Sequence, residues 1–347
     1  MQAAKRVCRQ GVMSAATIGT HNGAFHCDEA LACFMLKTLD QFKDAEITRT
    51  RDRDVLDRLT IIVDVGDVYD PDRLRFDHHQ KGFFETFSAK HTTKLSSAGL
   101  IYKHFGKDVI RSLSKPVALS DDDLETLYQK IYTGFIEGLD GIDNGVEQYR
   151  ASDPSYTGGL TRLYSINTDL SSRVGRLNTP WNETFTDEGQ LKRFHAAMQM
   201  VGAELADRVR EMATIWLPGR QIVADALSDR LKHDPSGRVV VLNQFCPWKD
   251  HLHALEETMG VSSPVLYIVY EDSTGASWRV QAVPVESGSF ESRCPLPAAW
   301  RGLRDDDLSK ATGVPGGVFV HMSGFIGGNK TREGALEMAK RAAELTN

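Results

Sequence analysis

Apolar positions recur along this chain in two periods. Leu31, Phe34, Met35, Leu39 and Phe42 return at steps of three and four and predict an amphipathic helix. Leu124, Leu127, Tyr128, Ile131, Phe135 and Ile136 predict another, opened by Asp121, Asp122 and Asp123 and ending near Gly138. Leu191, Phe194, Met198, Val201, Leu205, Val209 and Met212 predict a long third. Ser96 or Ser97 is placed to cap a helix that runs to Phe105, with Gly106 beyond its end. Residues 16–20 read as a short strand. Ile61-Ile62-Val63, bare and β-branched, reads as a buried strand that stops at Asp64. Further strands are expected at 238–242, 264–270, 277–283 and 317–322, with a closing helix from about 331. Residues 150–185 are rich in Gly, Ser, Thr and Asn and predict no element.

Strands alternating with helices of this length imply an α/β fold with a mainly parallel sheet. A chain of 347 residues exceeds one ordinary core. The expected division is a catalytic domain over 15–185, a linker helix over 186–216 and a smaller C-terminal α/β domain over 217–347. No apolar run reaches the roughly 18 residues of a membrane span. The five cysteines, Cys8, Cys27, Cys33, Cys246 and Cys294, contain no C-x-x-C pair, which argues against a disulfide framework or a zinc knot. The first 27 residues lack Asp and Glu but carry Lys5, Arg6 and Arg9. This pattern resembles a mitochondrial presequence as much as a plain basic tail. Met13 offers a second start, so mitochondrial, nuclear and cytoplasmic forms all stay open.

Four polar clusters carry the candidate chemistry: His21 to Asp28, Asp64 to Asp67, Asp77-His78-His79, and Asp140 to Gly145. The first follows a strand and opens a helix, and the second ends a buried strand. Open parallel sheets bind ligands beyond the carboxyl ends of their strands. The other two are expected in connections, where functional groups are commonly placed. Carboxylates and imidazoles gathered in one crevice repel or desolvate one another unless a cation joins them. His21, His26, Asp28, Asp64, His78 and either Asp140 or Asp143 are the candidate ligands. Asp140 is preferred because it directly follows the predicted helix. Mixed oxygen and imidazole ligation suits Mn²⁺, with Mg²⁺ the alternative, and the ligand count suffices for two ions sharing Asp64. Asp77, His78 and His79 are the candidate catalytic group, with Asp77 orienting a histidine.

The formal net charge of −6 is unusual for a nucleic-acid binder. Two divalent ions would bring it to roughly −2. Arg49, Arg51 and Arg53 also form a local basic cluster. Arg162, Arg173 and Arg176 suit a phosphate track or a solvated face equally. Trp181, Trp248 and Trp300 suit base stacking, but packing explains each as well. Near the end, Gly324, Gly327 and Gly328 precede Lys330, Thr331 and Arg332. Set between a strand and a helix, they are expected to form an anion-binding loop, with His321 adding charge. Asn329 stands where a P-loop needs glycine, and too little chain follows for a nucleotide-binding sheet.

The ordered set H-x4-H-x-D, D-x-x-D, D-H-H and D-x-x-D resembles the motifs of the DHH phosphoesterase superfamily. The segments "IGTHNGAFHCDEALACFML", "DHHQKGFFETF", "KLSSAGLIYKHFG", "PLPAAWRGLRDDDL" and "FVHMSGFIGGNKTREGAL" resemble one eukaryotic branch, the melanocyte-proliferating-gene family. That resemblance implies a DHH-type catalytic domain and a 3′-to-5′ exonuclease acting on single-stranded RNA. It also implies a C-terminal substrate loop that includes His321, Ser323 and the glycines. The superfamily's first motif usually has Asp where His26 stands here. Two other readings stay open: a small-molecule phosphohydrolase using the same site, and a non-catalytic RNA-binding protein. The sequence leaves open whether copies of the chain associate.

Overall fold

The computed structural model describes residues 16–148 and 166–345. The readings at Lys5, Arg6, Cys8, Arg9, Met13 and Arg162 lie outside the described residues. The chain is α/β, with two mixed sheets, and folds as two compact units that divide between Ala213 and Thr214.

In the first unit, β1 (Thr17–Thr20), β2 (Glu46–Arg49), β3 (Ile61–Val63), β4 (Tyr69–Asp70) and β5 (Arg75–Phe76) form a sheet in the order β2-β1-β3-β5-β4. β2, β1, β3 and β5 run parallel, and the edge strand β4 is antiparallel to β5. Ile18, Ile61 and Val63 are fully buried, as a bare β-branched run in a parallel sheet requires. The register positions the site. Gly19 pairs with Ile62, and Val63 with Phe76. β1, β3 and β5 therefore end level with one another, and the next residues in the chain are His21, Asp64 and Asp77.

The helix Cys27–Lys37 packs against Ser97–Leu113 and Asp187–Glu211. Leu39 and Phe42 are buried as the pattern implies, but they lie in the turns beyond the helix. Ser96 caps Ser97–Leu113, which runs on through Gly106 instead of ending there. A side chain at 106 would sit 2.9 Å from the Tyr128 ring, so glycine serves packing and not termination. The helix Asp121–Ile131 likewise does not stop near Gly138. It continues through a π-helical turn, Tyr132–Ile136, into Glu137–Asp143. The fourth cluster is therefore the last turn of a helix, not a connection. The helix Asp187–Glu211, which covers most of the expected linker segment, belongs to the first unit and buries Phe194, Met198, Val201, Leu205 and Val209.

The second unit carries β6 (Val239–Val241), β7 (Tyr267–Glu271), β8 (Trp278–Ala282), β9 (Gly317–Val320) and β10 (Ile326–Asn329), in the order β6-β7-β8-β10-β9. β6 and β7 are parallel, and the other pairings are antiparallel. Side chains alternate between the two faces. Val239, Val241, Tyr267 and Val269 pack with Ala335, Met338 and Ala342 of the helix Arg332–Glu344. Val240, Ile268 and Tyr270 pack with Val223, Leu227, Trp248 and Leu252 on the other face.

Gly202 lets two helices of the first unit approach closely: a Cβ there would lie 2.1 Å from the Phe34 ring. Gly202→Ala is predicted to destabilise the fold by about 1–3 kcal/mol through overpacking. Adding Phe34→Leu should recover part of the loss. Urea midpoints of the single and double variants measure both effects, and an unshifted midpoint for Gly202→Ala would refute the packing account.

Candidate metal centre

Each strand end delivers one group. His21 follows β1 and is buried, with Nδ1 3.0 Å from the Asn22 carbonyl. A carbonyl only accepts, so Nδ1 carries a proton and Nε2 is left to face the carboxylates. Nε2 lies 3.0 Å from Glu29 Oε1 and 3.3 Å from Asp64 Oδ2. Burial opposes charging His21, but the hydrogen bonds to Asp64 and Glu29 outweigh it and raise its pKa to about 10. A pocket that holds a proton so firmly is chemically a cation pocket.

Asp64 leaves β3 with φ of +56°, in the left-handed region that Asp tolerates better than most residues. The tight turn that follows brings the Asp67 N–H within 2.6 Å of Asp77 Oδ2. Asp64 Oδ1 stands 3.3 Å from His78 Nε2 and 3.5 Å from His79 Nδ1. Burial would raise its pKa, but the hydrogen bonds from His21 and His78 hold it well below the usual carboxylate range.

Asp77 follows β5 and spends its carboxylate on its neighbours. Oδ1 accepts from the backbone N–H groups of His78 and His79 at 2.7 and 3.2 Å, and from His79 Nδ1 at 2.7 Å. Asp77 is thus an orienting group. His78 is set by Asn144, whose Nδ2 donates to the Lys94 and Asp140 carbonyls at 2.9 and 2.8 Å. That leaves Asn144 Oδ1 facing His78 Nδ1 at 3.3 Å. The proton therefore sits on Nδ1, and Nε2 faces Asp64 and, at 3.3 Å, Asp143 Oδ2. Carboxyl or carbonyl partners on the far ring nitrogen are a usual feature of metal-binding histidines.

Asp28, 1% exposed, tests the fit of a metal. Neither of its oxygens has a hydrogen-bond partner, and His78 Nε2 stands 4.0 Å from Oδ2. Burial, then the nearby Asp64 and Asp143, raise its pKa well above the ordinary value. An orphaned buried carboxyl beside two other carboxylates and an imidazole nitrogen is what a divalent cation would satisfy. Three overlapping groups can hold a metal ion: His21, His26, Glu29 and Asp64; Asp64, His78 and His79; and Asp28, His78 and Asp143. Asp64 belongs to two of them.

Asp140 is corrected by the structure. Its carboxyl is wholly buried and joins none of these groups. Oδ1 accepts from Ser96 N–H and Oγ at 2.9 and 2.8 Å, and Oδ2 from Tyr132 at 3.1 Å. It ties the last helical turn to the cap of Ser97–Leu113, while Asp143 reaches the cluster. Glu29 is the member of these groups that sequence reasoning missed. It stands three residues after His26, and its carboxylate accepts from the His26 backbone N–H at 2.9 Å. That is a capping-box position, which explained the residue without any chemistry. Asn178 and Gln190 were also unmarked. Asn178 bonds the Phe25 N–H and carbonyl at 2.9 Å each, and Gln190 donates to the Gly23 carbonyl at 3.1 Å. Together they hold the loop between His21 and His26.

Two cavities flank the cluster, of about 280 and 390 Å³, both lined by His26, Asp64 and His79. A larger one, about 600 Å³, lined by Phe34, Lys37, Leu191 and Met198 among others, contains none of these ligands. Chemistry, not size, marks the site.

The glycine-rich segment of the second unit is not a loop before a helix. Gly327 and Gly328 lie inside β10, paired on both sides, because close neighbours leave little room for side chains: a Cβ at 327 would sit 2.9 Å from Val320. Only Gly324 needs its freedom, turning with φ of +75°. His321 and Ser323 are exposed at the hairpin tip, 2.9 Å apart. Lys330 and Arg332 lie past the other end of β10, roughly 13 Å away along the strand. The seven residues do not form one clamp. Trp248 and Trp300 are core residues, whereas Trp181 is 97% exposed. Arg173 pairs with Glu204 at 2.8 Å.

Comparison with known proteins agrees with the motif reading. Residues 17–343 match the MYG1 exonuclease model, described as an uncharacterised protein family, UPF0160. The chain belongs to the MYG1 family. It is 50% identical over 327 residues to the MYG1 protein of Dictyostelium discoideum, covering 94% of this chain and 96% of that one. It is 46% identical over 340 residues to the MYG1 exonuclease of Homo sapiens, covering 96% and 87%. The MYG1 protein of Saccharomyces cerevisiae is 43% identical over 340 residues, covering 98% and 99%. No solved structure matches the chain significantly. In this MYG1-family chain the imidazole and carboxylate groups of the first unit can hold a metal ion.

Asp140 and Asp143 separate by experiment. Asp143→Asn is predicted to weaken Mn²⁺ binding at least tenfold in a calorimetric titration, and Asp140→Asn to leave it near the wild-type value. Burial raises the Asp140 pKa to about 7. The folded state then binds its proton more tightly than the unfolded chain does. Its stability contribution is full below about pH 4 and is lost as pH rises through 7, by at most about 1.4 kcal/mol per unit. In chelator, Asp140→Asn should therefore gain on the wild type between pH 5 and 8. A constant difference across that range would refute the assignment.

Proposed function

We propose that this MYG1-family chain is a metal-dependent phosphodiesterase built on a DHH-type catalytic domain, and that it removes nucleotides from the 3′ end of single-stranded RNA. The observation that carries the reading is the convergence of His21, Asp28, Asp64, His78 and Asp143, with the Asp28 oxygens buried and unpartnered. Relatives named MYG1 exonuclease support the nuclease class. The Asp77-His78-His79 tripeptide supports the DHH assignment.

Two ions are proposed. His21, His26, Glu29 and Asp64 would hold one, and Asp28, His78 and Asp143 the other, with Asp64 between them. The oxygen and imidazole mixture favours Mn²⁺ over Mg²⁺. Such ions supply positive charge against phosphoryl oxygens and lower the pKa of water. The chain's own residues do the rest. Asn22 and Asn144 fix the tautomers of His21 and His78. Asp77 holds His79 through Nδ1, and that hydrogen bond first of all raises the His79 pKa. His79 is exposed at the cavity mouth, where its Nε2 would donate a proton to the leaving 3′-oxygen and recover one from the attacking water. Water's oxygen bonds to phosphorus as the P–O bond to that oxygen breaks.

A second reading, hydrolysis of short phosphate esters or oligonucleotides at the same centre, is favoured by the modest size of the cavities, about 280 and 390 Å³.

The test is a time course on 5′-labelled single-stranded RNA with Mn²⁺. Stepwise shortening is expected. Asp64→Ala should slow it more than about 100-fold, and Asp77→Ala by about 10- to 100-fold, as for groups that orient ligands. Cleavage of dinucleotides but not of longer RNA would select the second reading. Inert wild type towards both substrates would refute hydrolysis altogether.

A further inference from the structure

The two cavities beside the metal cluster differ in character. The smaller combines Phe25, Ile142 and Gly175 with the site's histidines and carboxylates and carries no arginine or lysine. The larger opens on Arg51 and Arg53. The fold sets this asymmetry. Thr20 pairs with Arg49, so β2 ends level with β1, and Arg51 lies just beyond its end. The sheet edge thus reads Arg51, His21, Asp64, Asp77 across the neighbouring strands β2, β1, β3 and β5.

Arg51 differs from the arginines around it. Arg53 is paired with Asp67 at 2.8 Å. Arg49 donates to the Gly23 carbonyl at 3.0 Å and lies over the Phe194 ring. Arg51 has no carboxylate partner among the described residues. Its Nη2 lies 3.3 Å from His21 Nδ1. That is its one side-chain contact among the described residues, and it leaves the other guanidinium N–H groups without an acceptor. An exposed guanidinium with no carboxylate partner, in a cavity shared with the candidate metal ligands, fits the fork geometry of a phosphate.

We propose that Arg51 binds the phosphate on the 5′ side of the scissile linkage, with the terminal nucleoside on the Phe25 and Ile142 side. This deepens the nuclease reading and rests on it. The substrate class that uses Arg51 then carries at least two phosphates: a 5′-phosphorylated dinucleotide or a longer strand. A dinucleotide with only its internal linkage leaves Arg51 unused.

The test separates the two claims. The binding probe is an uncleavable adenylyl dinucleotide with a neutral methylphosphonate linkage, with and without a 5′-phosphate, titrated calorimetrically. The wild type should bind the phosphorylated probe about tenfold more tightly, the usual scale of a charge-assisted contact. Arg51→Ala should erase the preference, and Arg51→Lys should keep part of it. Circular dichroism checks that both variants are folded. With Mn²⁺, the ratio of kcat/KM for pApA over ApA should collapse in the same order. A wild type without the preference, or a preference that survives Arg51→Ala, overturns the proposal. If the wild type binds as expected but cleaves neither dinucleotide nor RNA, the nuclease reading fails while the phosphate site stands.

Discussion

The site depends on one constraint, the level ending of parallel strands. β1, β3 and β5 stop in register, about 4.8 Å apart. A strand one residue longer or shorter would turn its terminal side chain to the other face of the sheet. His21, Asp64 and Asp77 are therefore placed by backbone pairing, before any of their own contacts form. The buried runs that make the strands rigid also make the centre rigid. Ile18, Ile61 and Val63 lie fully buried directly behind these groups.

That placement has an electrostatic cost. Asp28, Glu29 and Asp64 are buried, and Asp143 is largely so, which crowds four carboxylates away from water. The chain resolves part of the conflict internally. His21 and His78 turn their Nε2 atoms inward because Asn22 and Asn144 occupy their Nδ1 atoms. Asp77 is neutralised by His79 and by three backbone N–H groups, and its pKa falls although burial alone would raise it. Asp28 has no such partner. Burying a carboxyl unpaired costs more than a fold normally tolerates without a functional return. Its position beside His78 and Asp143 makes cation binding the consistent explanation.

Much of this was legible in the sequence, and the rest has physical causes. The strands before His21 and Asp64 were readable because a bare β-branched run has few alternatives. Asp140 and Asp143 were not separable, because the pattern implied a helix stop at Gly138. Packing carries the chain through a π-helical turn instead, and side chains three apart on the last turn then diverge in role. Gly106 misled for a related reason: aromatic rings closing over a helix need a missing side chain as much as a helix end does. Glu29 was hidden because one carboxylate serves both as a cap and as a candidate ligand. β10 lies where the sequence predicts a loop, because two adjacent glycines usually signal a turn. Here they sit where the strands on both sides leave little room for a Cβ.

An acidic chain and the proposed polyanionic substrate conflict only if net charge governs binding. Charges farther apart than about 8–10 Å are largely screened at physiological salt. What a phosphate meets is the local field at the sheet edge. There Asp28 and Asp64 are buried beside imidazoles, whereas His79, Arg51 and the Arg53–Asp67 pair are exposed. Burial thus separates charge by depth, and under the proposed function the exposed cations would meet phosphate while the buried carboxylates would hold metal ions. The formal charge of −6 is a sum over the whole chain and says little about that local field.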